Sequence, residues 1–516
     1  MYIWCENSAV RVMTNTRPKR ESEAFLSLHC GKNMHASGQI LMRDYDEKCF
    51  DDVEVYDIEI RGGRGIDKSW ITLYRQGYEV FNDGVPYPDR LIKDVKCTFK
   101  RQTTQGFWVS VFVPSDATPG EYSFELFCRT SSGDVAVPVF LKIYNVTIPE
   151  TKNGAFDHEY FLMYENLERY GNIGKYSPEW WNLMKEYAIA LKNLRVNHLS
   201  VSMPGLLHGE GTRRTGKLTW EFCFDRVNAF IEHYLKWGSF RRIVLMGPTS
   251  PLVGERTHAF DEDGNPHDLK TGTEESEAYL RAYFAAVREN FMKMGWYDMV
   301  ITHVSDEPHE TKNWKWVRNI MREVCPEMKT SEPMDTYEPS VELEGECDEF
   351  IPRLEVYEQG KDFYDKLSKN GTRLWCYSCC FPEEPWHLNK FLDLPHHYAR
   401  LIHWVCYTNN ITGFLHWGFN CWDAKNYGLC PDARFKGDGY IVYPDKENMS
   451  VIYSNRAIAT WEGVEEYELL NIVAKVFPGQ AKVIAKGIGR LFCEFNEDPV
   501  YLESARQKLL TLASYC

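Results

Sequence analysis

Residues 1 to about 149 alternate apolar and polar positions with a period of two, the pattern of half-buried β-strands. The alternation is regular over residues 107–113, 122–128 and 137–143. Clusters of turn residues separate these segments, such as Pro114-Ser115-Asp116 and Thr118-Pro119-Gly120. Short strands at this spacing are typical of antiparallel sandwiches. The pattern therefore predicts an N-terminal all-β sandwich domain over residues 1–149, with a boundary near Pro149.

After residue 150, short apolar runs of strand length alternate with amphipathic helical stretches. We predict strands at 160–165, 198–202, 243–247, 300–305, 329–334, 350–356, 374–380 and 414–419, and helices at 178–194, 222–237, 275–294 and 314–324. Eight such units predict an α/β fold of the (β/α)8 TIM type over residues 150–450. Helices over 451–477 and 480–514 would form a C-terminal segment, 451–516, that closes and caps the barrel. The alternative is a doubly wound open sheet. The weakest repeat is the fifth, where 341–347 barely supports a helix.

Charge and composition limit the partners of the chain. The 516 residues include 59 Lys and Arg against 74 Asp and Glu, a formal net charge of −15, which disfavours nucleic acid and anionic membranes. No apolar run approaches the roughly 18 residues of a membrane span. The N-terminus has no apolar h-region, so we expect a cytoplasmic protein whose 16 cysteines are reduced.

The most informative segment is 299–308, an apolar, β-branched run that ends in Asp306, Glu307 and Pro308. Its two acids are expected at the carboxyl end of the fourth strand, where barrels place catalytic groups. Because adjacent negative charges raise one pKa, such a pair can supply a proton donor beside a charge stabiliser. Neighbours on a strand point to opposite faces, so the backbone must turn for both acids to reach one cleft.

Two arrangements that could suggest a metal are better explained by packing. Cys376 and Cys379 are separated by an odd number of positions on a predicted strand, which directs them to opposite faces. His396, His397 and His403 lack a clustered carboxylate and fall in an amphipathic stretch. The sequence therefore predicts neither a metal nor another cofactor.

Aromatic and amide side chains follow the later strands, as a sugar site requires. Tyr377 lies on the seventh predicted strand, and Trp417 and Asn420 lie near the end of the eighth. Aromatic rings stack on the apolar faces of sugars, while amides bond to their hydroxyl groups.

The segment His303-Val-Ser-Asp306-Glu307-Pro308 resembles the Asp-Glu-Pro signature of glycoside hydrolase family 123, the β-N-acetylgalactosaminidases and their related uncharacterised domains. Four further motifs resemble that family in the same order: 374–382, 413–422, 437–444 and 454–468. The order of sandwich and barrel also agrees, and the resemblance covers roughly residues 50 to 475. One departure is Glu466, where the family pattern has aspartate.

The resemblance implies a retaining hydrolase that removes β-linked N-acetylgalactosamine from an oligosaccharide or glycoconjugate, with the substrate's own 2-acetamido group as nucleophile. It implies that Glu307 is the general acid and base, and that Asp306 stays ionised and orients the acetamido N–H. Tyr377 would bond to the acetamido carbonyl. Candidate stacking residues and hydroxyl ligands are Trp417, Trp422, Asn420, Asn166, His198 and His303. The absence of a carboxylate on strand 374–380 agrees with an internal nucleophile.

Two other functions remain open from the sequence. The first is a retaining glycosidase with ordinary two-carboxylate chemistry, in which Glu355 or Glu383 would be the partner of the acid. The second is a non-catalytic carbohydrate-binding protein. The residues alone leave open the galacto or gluco configuration of the sugar, exo or endo action, and the assembly state.

Overall fold

The computed structural model describes residues 1–19, 24–45, 51–63, 65–166, 168–171, 173–209 and 211–516. Within these ranges the chain forms a β-rich N-terminal region, a parallel barrel, and helices that follow the barrel.

The described part of the N-terminal region contains ten strands: β1 (Tyr2–Asn7), β2 (Leu26–Lys32), β3 (Met34–Arg43), β4 (Val53–Gly62), β5 (Ile71–Val80), β6 (Pro86–Ile92), β7 (Cys97–Phe99), β8 (Thr104–Val113), β9 (Gly120–Thr130) and β10 (Val135–Thr147). One sheet has the order β2-β10-β9-β4-β7 and the other begins β1-β3-β8-β5-β6. The region is β-rich, as predicted, whereas the all-β sandwich arrangement stays a prediction. The alternation in β9 and β10 is real, because Phe124, Leu126, Val139 and Leu141 are all buried.

Two later strands extend the second sheet. They are β23 (Val442–Asp445) and β24 (Ser450–Ser454), and β24 pairs with β6 through Tyr453 and Leu91. Residues that the sequence assigned to the barrel and to the first closing helix therefore belong to a sheet of the N-terminal region, which β24 joins by pairing with β6 and β23 joins by pairing with β24. The division of the chain into three domains stays a prediction.

Eight parallel strands close the barrel: β11 (Asp157–Tyr160), β12 (His198–Val201), β15 (Arg242–Leu245), β18 (Val300–Thr302), β19 (Lys329–Met334), β20 (Glu349–Pro352), β21 (Arg373–Ser378) and β22 (Gly413–His416). The last strand returns to the first through the pair Asp157 and Gly413. The barrel prediction is confirmed, and the open sheet is wrong. The first strand begins three residues earlier than predicted, because its buried residues include Asp157 and Glu159, which a search for apolar runs overlooks.

Twelve α-helices are present in the described ranges: α1 (Pro178–Asn193), α2 (Met203–Leu207), α3 (Asp225–Trp237), α4 (Glu274–Met294), α5 (Thr311–Val324), α6 (Glu338–Glu342), α7 (Leu354–Gln359), α8 (Lys361–Lys369), α9 (Tyr398–Thr408), α10 (Asn455–Val476), α11 (Pro478–Ile488) and α12 (Pro499–Ala513). Side-chain caps fix several starts, since Ser177 and Thr273 accept backbone N–H bonds at the first turns of α1 and α4. None of the described helices is both long and apolar enough to cross a membrane.

Three short hairpins of the described chain lie outside the main sheets: β13 (Arg213–Gly216) with β14 (Thr219–Glu221), β16 (Arg256–Phe260) with β17 (Pro266–Lys270), and β25 (Gly489–Leu491) with β26 (Glu494–Phe495). The last hairpin corrects the predicted helix at 480–514, which is two helices joined by β25 and β26. The predicted helix at 451–477 likewise begins only at Asn455, because β24 precedes it.

Helices α9, α10 and α12 meet around a buried ionic cluster. The guanidinium of Arg400 donates hydrogen bonds to Glu466 and Glu462, and Arg506 donates to Glu466 at 3.2 Å. The indole of Trp404 donates to the same Glu466 at 2.7 Å. Since charges buried without partners are very costly, this network fixes how the three helices dock. Glu466, the departure from the family pattern, is a structural residue.

Candidate active site

A cavity of about 420 Å³ opens at the carboxyl end of the barrel. Part of its wall is formed by side chains that point into the barrel. Tyr377 of β21 pairs in register with Leu415 of β22, and both pack in the barrel interior with Phe161. The apolar part of the lining is formed by Phe161, Met163, Met246, Pro333, Leu415 and Trp417. This volume lies in the range of small-molecule sites.

Asp306 and Glu307 both line this cavity. They lie four and five residues beyond the end of β18, in a loop rather than on the strand. Glu307 has φ of +50°, a left-handed conformation that is uncommon for a residue with a side chain. This conformation costs on the order of 1 kcal/mol or more, and such costs concentrate at functional sites. The predicted backbone turn that brings both acids to one cleft is thus confirmed.

Contacts on both sides hold the strained loop in place. The backbone N–H of Leu252 donates to the carbonyl of Asp306 at 2.8 Å, and the N–H of His309 donates to the carbonyl of Leu252 at 2.8 Å. Before the acids, the N–H of Val304 donates to the fully buried carboxyl of Glu332 on β19. Glu332 is therefore a positioning residue for the loop, and no pattern in the sequence indicated it.

The cavity raises the pKa of both acids. Burial, followed by the charges of Glu307 and Asp335, raises the pKa of Asp306 to about 7. Burial also raises the pKa of Glu307, against the lowering effect of a hydrogen bond from Tyr377. Asp335 is itself bound by His309, whose Nε2 lies 2.8 Å from its Oδ2. Near neutral pH the pair can therefore hold a proton, as acid catalysis requires.

The opposite wall of the cavity carries a second polar group. The indole Nε1 of Trp417 donates to Asp438 Oδ2 at 2.8 Å, and the ring of Tyr427 packs edge-on to Trp417 at 5.4 Å. Asp438 is fully buried, and burial raises its pKa well above the ordinary value. Its Oδ1 has no hydrogen-bond partner among the described residues. Trp417 is thus held by a hydrogen bond while it lines the cavity.

A family model described as the catalytic domain of glycoside hydrolase 123 matches residues 162–473, more than half of the chain. The chain belongs to glycoside hydrolase family 123. This confirms the resemblance found in the sequence, and it makes the cavity the candidate active site of a glycosidase.

The comparison with solved structures shows a likeness of fold. A family 123 glycoside hydrolase from Clostridium perfringens, described in a study of glycolipid glycan hydrolysis, matches with a TM-score of 0.76 at 13% identity, over 94% of this chain and 90% of that one. A β-glucuronidase from Parabacteroides merdae matches with a TM-score of only 0.32 at 10% identity, over 90% of this chain and 52% of that one. A comparison with curated proteins finds no match.

Two residues predicted to contact the sugar instead support the walls of the family 123 site. The side-chain amide of Asn420 exchanges hydrogen bonds with the backbone of Met163, at 2.9 and 3.1 Å. Trp422 is fully buried and donates to the carbonyl of Val442 at 2.8 Å. Neither is among the described residues that line the cavity. Beyond His416 the chain leaves the sheet, so strand alternation no longer indicates which side chains point inward.

The predicted histidines are also displaced from the cavity of this family 123 enzyme. His303 is buried and its Nδ1 contacts the carbonyl of Ser331, and burial lowers its pKa to about 4. His198 is the first residue of β12, so it lies at the amino end of the barrel, and its ring packs on Trp375 at 4.7 Å. For His198 the predicted strand was right, but the first residue of a strand lies at the amino end of the barrel and cannot reach a cavity at the carboxyl end.

Asn166 lies in a neighbouring cavity of about 360 Å³, which shares Met163 with the main one. Its amide donates to the carbonyl of Asn420 at 2.8 Å. Of the nine predicted site residues, the structure brings together Asp306, Glu307, Tyr377 and Trp417 in the main cavity.

Sequence reasoning missed several cavity residues of this family 123 enzyme: Cys379, Cys380, Tyr427 and Asp438. For Asp438 a signal existed, because it lies in the 437–444 motif that resembles the family. For Cys379 and Cys380 the signal was their place at the carboxyl end of the predicted strand 374–380, although β21 ends at Ser378.

Proposed function

We propose that this family 123 glycosidase removes β-linked N-acetylgalactosamine with retention of configuration, by substrate-assisted catalysis. The observation that carries the proposal is the placement of two adjacent carboxyl groups, Asp306 and Glu307, in one cavity with the hydroxyl of Tyr377 bound to Glu307.

In the first step, the carbonyl oxygen of the substrate's 2-acetamido group attacks C1 as the bond from C1 to the aglycone oxygen breaks. Glu307 gives its proton to the departing oxygen. Asp306 accepts a hydrogen bond from the acetamido N–H and balances the positive charge of the oxazolinium ion. In the second step Glu307 removes a proton from water as the water oxygen bonds to C1, and the bond between C1 and the acetamido oxygen breaks, which regenerates the neutral acetamido group.

Binding of the acetamido group sets this division of roles, because before it binds the cavity raises the pKa of both acids. With a pKa of about 7, Asp306 is about half ionised at neutral pH. An acetamido N–H would hydrogen-bond to the ionised form and favour it. Glu307 receives a hydrogen bond from Tyr377, which lowers its pKa and limits the rise caused by burial.

Glu355 and Glu383, the candidate nucleophiles of the two-carboxylate alternative, form ion pairs outside the cavity. Glu355 forms an ion pair with Arg353, and Glu383 forms one with Arg434 at 2.7 Å. Neither belongs to the described lining of the cavity. Asp438 does line it, but burial favours its neutral form, which is a poor nucleophile. These positions support an attacking group that comes from the substrate.

The proposed substrate is a terminal sugar on a glycan or glycolipid. Trp417 lines the cavity on the wall opposite the acids, and the apolar face of the sugar would stack on its ring. The glycolipid class is extended from the Clostridium perfringens relative, whose structure was analysed for the details of glycolipid glycan hydrolysis.

The test is hydrolysis of three chromogenic aryl glycosides: the N-acetyl-β-galactosaminide, the N-acetyl-β-glucosaminide and the plain β-galactoside. We expect turnover of the galactosaminide, weaker turnover of its gluco epimer, and none of the galactoside, which lacks the nucleophile. NMR of the first product should show the β-anomer. Equal rates on galactosaminide and galactoside would contradict the internal nucleophile, and binding without turnover of any glycoside would favour the non-catalytic alternative.

A further inference from the structure

Three side chains with metal-binding atoms converge outside the candidate active site. Glu358 lies in α7, His387 in the loop after β21, and Cys493 in the turn between β25 and β26. One carboxylate oxygen, one imidazole nitrogen and the thiol sulfur all lie within 4.8 Å of one another. The sequence positions are far apart, so no spacing motif could reveal this cluster.

The carboxylate is already oriented toward the other two groups. Oε1 of Glu358 accepts the backbone N–H of Cys493 at 3.1 Å, and Oε2 lies 2.9 Å from Nε2 of His387. The backbone N–H of Leu388 donates to the carbonyl of Phe492 at 2.8 Å, which ties the loop to the hairpin. Metal centres commonly use such outer hydrogen bonds to aim their ligands.

The set of donors fits a borderline-soft divalent ion. Zinc binds thiolate at about 2.3 Å and imidazole or carboxylate at about 2.0–2.2 Å, so its ligand atoms lie roughly 3–4 Å apart. Small side-chain movements would bring the three atoms into that geometry. A mixed sulfur, nitrogen and oxygen set excludes Mg²⁺ and Ca²⁺, which prefer oxygen alone.

The surroundings also favour a cation. The carboxylates of Glu355 and Glu384 also lie near His387 and add negative charge around the cluster. Arg490 lies on the same hairpin but is paired with Glu494 at 3.3 Å. Cys493 is exposed, so an ion can enter from solvent and keep a water as fourth ligand.

We propose that Glu358, His387 and Cys493 form a zinc-binding site that is separate from the sugar cavity. On binding, the thiol of Cys493 releases its proton to solvent, and the ion joins α7, the loop after β21 and the β25–β26 hairpin. Because Cys379 and Cys380 at the start of that loop line the cavity, the ion would stabilise one wall of it from outside. The proposal does not depend on the identity of the sugar.

The test uses the full chain, freed of metal with a chelator and titrated with Co²⁺ by absorption and with Zn²⁺ by calorimetry. We expect one equivalent of each ion and a thiolate-to-cobalt charge-transfer band. Cys493→Ser should abolish the band, and His387→Asn or Glu358→Gln should weaken Zn²⁺ binding at least about tenfold. Zinc should also raise the Tm of the wild type but not that of Cys493→Ser.

Matched controls separate this site from general thiol or imidazole binding. Cys516→Ser removes another exposed cysteine, and His258→Asn removes another histidine bound to a carboxylate, Asp268 at 2.9 Å. Both should bind like the wild type. Circular dichroism confirms that each variant is folded. No binding by the wild type, or a band that survives Cys493→Ser but is lost in Cys379→Ser, would overturn the proposal.

Discussion

The hydroxyl of Tyr377 donates a hydrogen bond to the carboxylate of Glu307 and so joins strand β21 to the loop after β18. The bond favours the ionised form of Glu307, against the burial that raises its pKa. In the proposed mechanism Glu307 starts protonated, so this tyrosine sets the upper pH at which the enzyme holds its catalytic proton. In the same proposed mechanism, this hydroxyl turns toward the acetamido carbonyl when substrate binds.

Replacement of Tyr377 by Phe should shift the alkaline limb of the kcat/KM profile to higher pH, by about 1 unit. The reason is that loss of the donor raises the pKa of Glu307 further. The measurement is kcat/KM against pH on the aryl N-acetyl-β-galactosaminide. Tyr364→Phe is the matched control, because Tyr364 is also buried and hydrogen-bonded, to Ser340 at 2.7 Å. An alkaline limb that stays in place would show that Tyr377 does not tune Glu307.

Glu307→Gln and Asp306→Asn should each lower kcat by about 10² to 10⁴, because the first removes the proton donor and the second the charge that stabilises the oxazolinium ion. Both replacements are isosteric, so circular dichroism should be unchanged. Glu262→Gln is the control, since Glu262 belongs to another Asp-Glu pair but is largely exposed on a hairpin turn. Near-normal activity of either active-site variant would contradict the assigned roles.

Asp306→Asn should also stabilise the protein at neutral and alkaline pH. The folded state raises the pKa of Asp306 to about 7, so the folded protein binds the proton more tightly than the unfolded chain does. The contribution of Asp306 to the free energy of unfolding is therefore largest below pH about 4, and it is lost as the pH rises to about 7. The variant should therefore gain about 1–2 kcal/mol in the free energy of unfolding at pH 8 and nothing at pH 4, measured by urea denaturation. A gain that did not depend on pH would have another cause.

The barrel could be predicted because its strands are short apolar runs separated by helices. An error of a few residues at either end of a strand does not change the predicted order of strands and helices. Strand β11 shows the limit, since Asp157 and Glu159 are buried in it and hide the strand from a search for apolar runs. The acids could be predicted from the proline after them, but their geometry depends on the left-handed conformation of Glu307, which no propensity indicates.

The rest of the site depends on contacts that are distant in the sequence. Asp438 reaches Trp417 because the chain folds back on itself after β22, with Asn420 bridged to Tyr440. That return also buries Trp422, which the sequence alone could not distinguish from a stacking residue. Of the four predicted residues that line the cavity, Tyr377 lies on a strand, whereas Asp306, Glu307 and Trp417 lie beyond strand ends.

Trp417→Phe should raise KM about three- to tenfold, equivalent to about 0.7–1.4 kcal/mol of lost stacking and positioning. The smaller ring also loses the hydrogen bond to Asp438, which leaves that buried carboxyl without its indole donor. Trp386→Phe is the control, because Trp386 is 61% exposed. KM values from initial rates test the prediction, and a change in kcat alone would argue against a role in sugar binding.

Glu466→Ala should destabilise the fold by about 3–5 kcal/mol without altering the chemistry of the cavity. The carboxylate of Glu466 is fully buried and accepts hydrogen bonds from Arg400, Arg506 and Trp404, so its removal leaves two buried cations short of a partner. Glu466→Asp, which restores the residue of the family pattern, should cost less because the charge remains. Urea denaturation of both variants measures the effect. A loss in Glu466→Ala below about 1 kcal/mol would show that the cluster does not hold α9, α10 and α12 together.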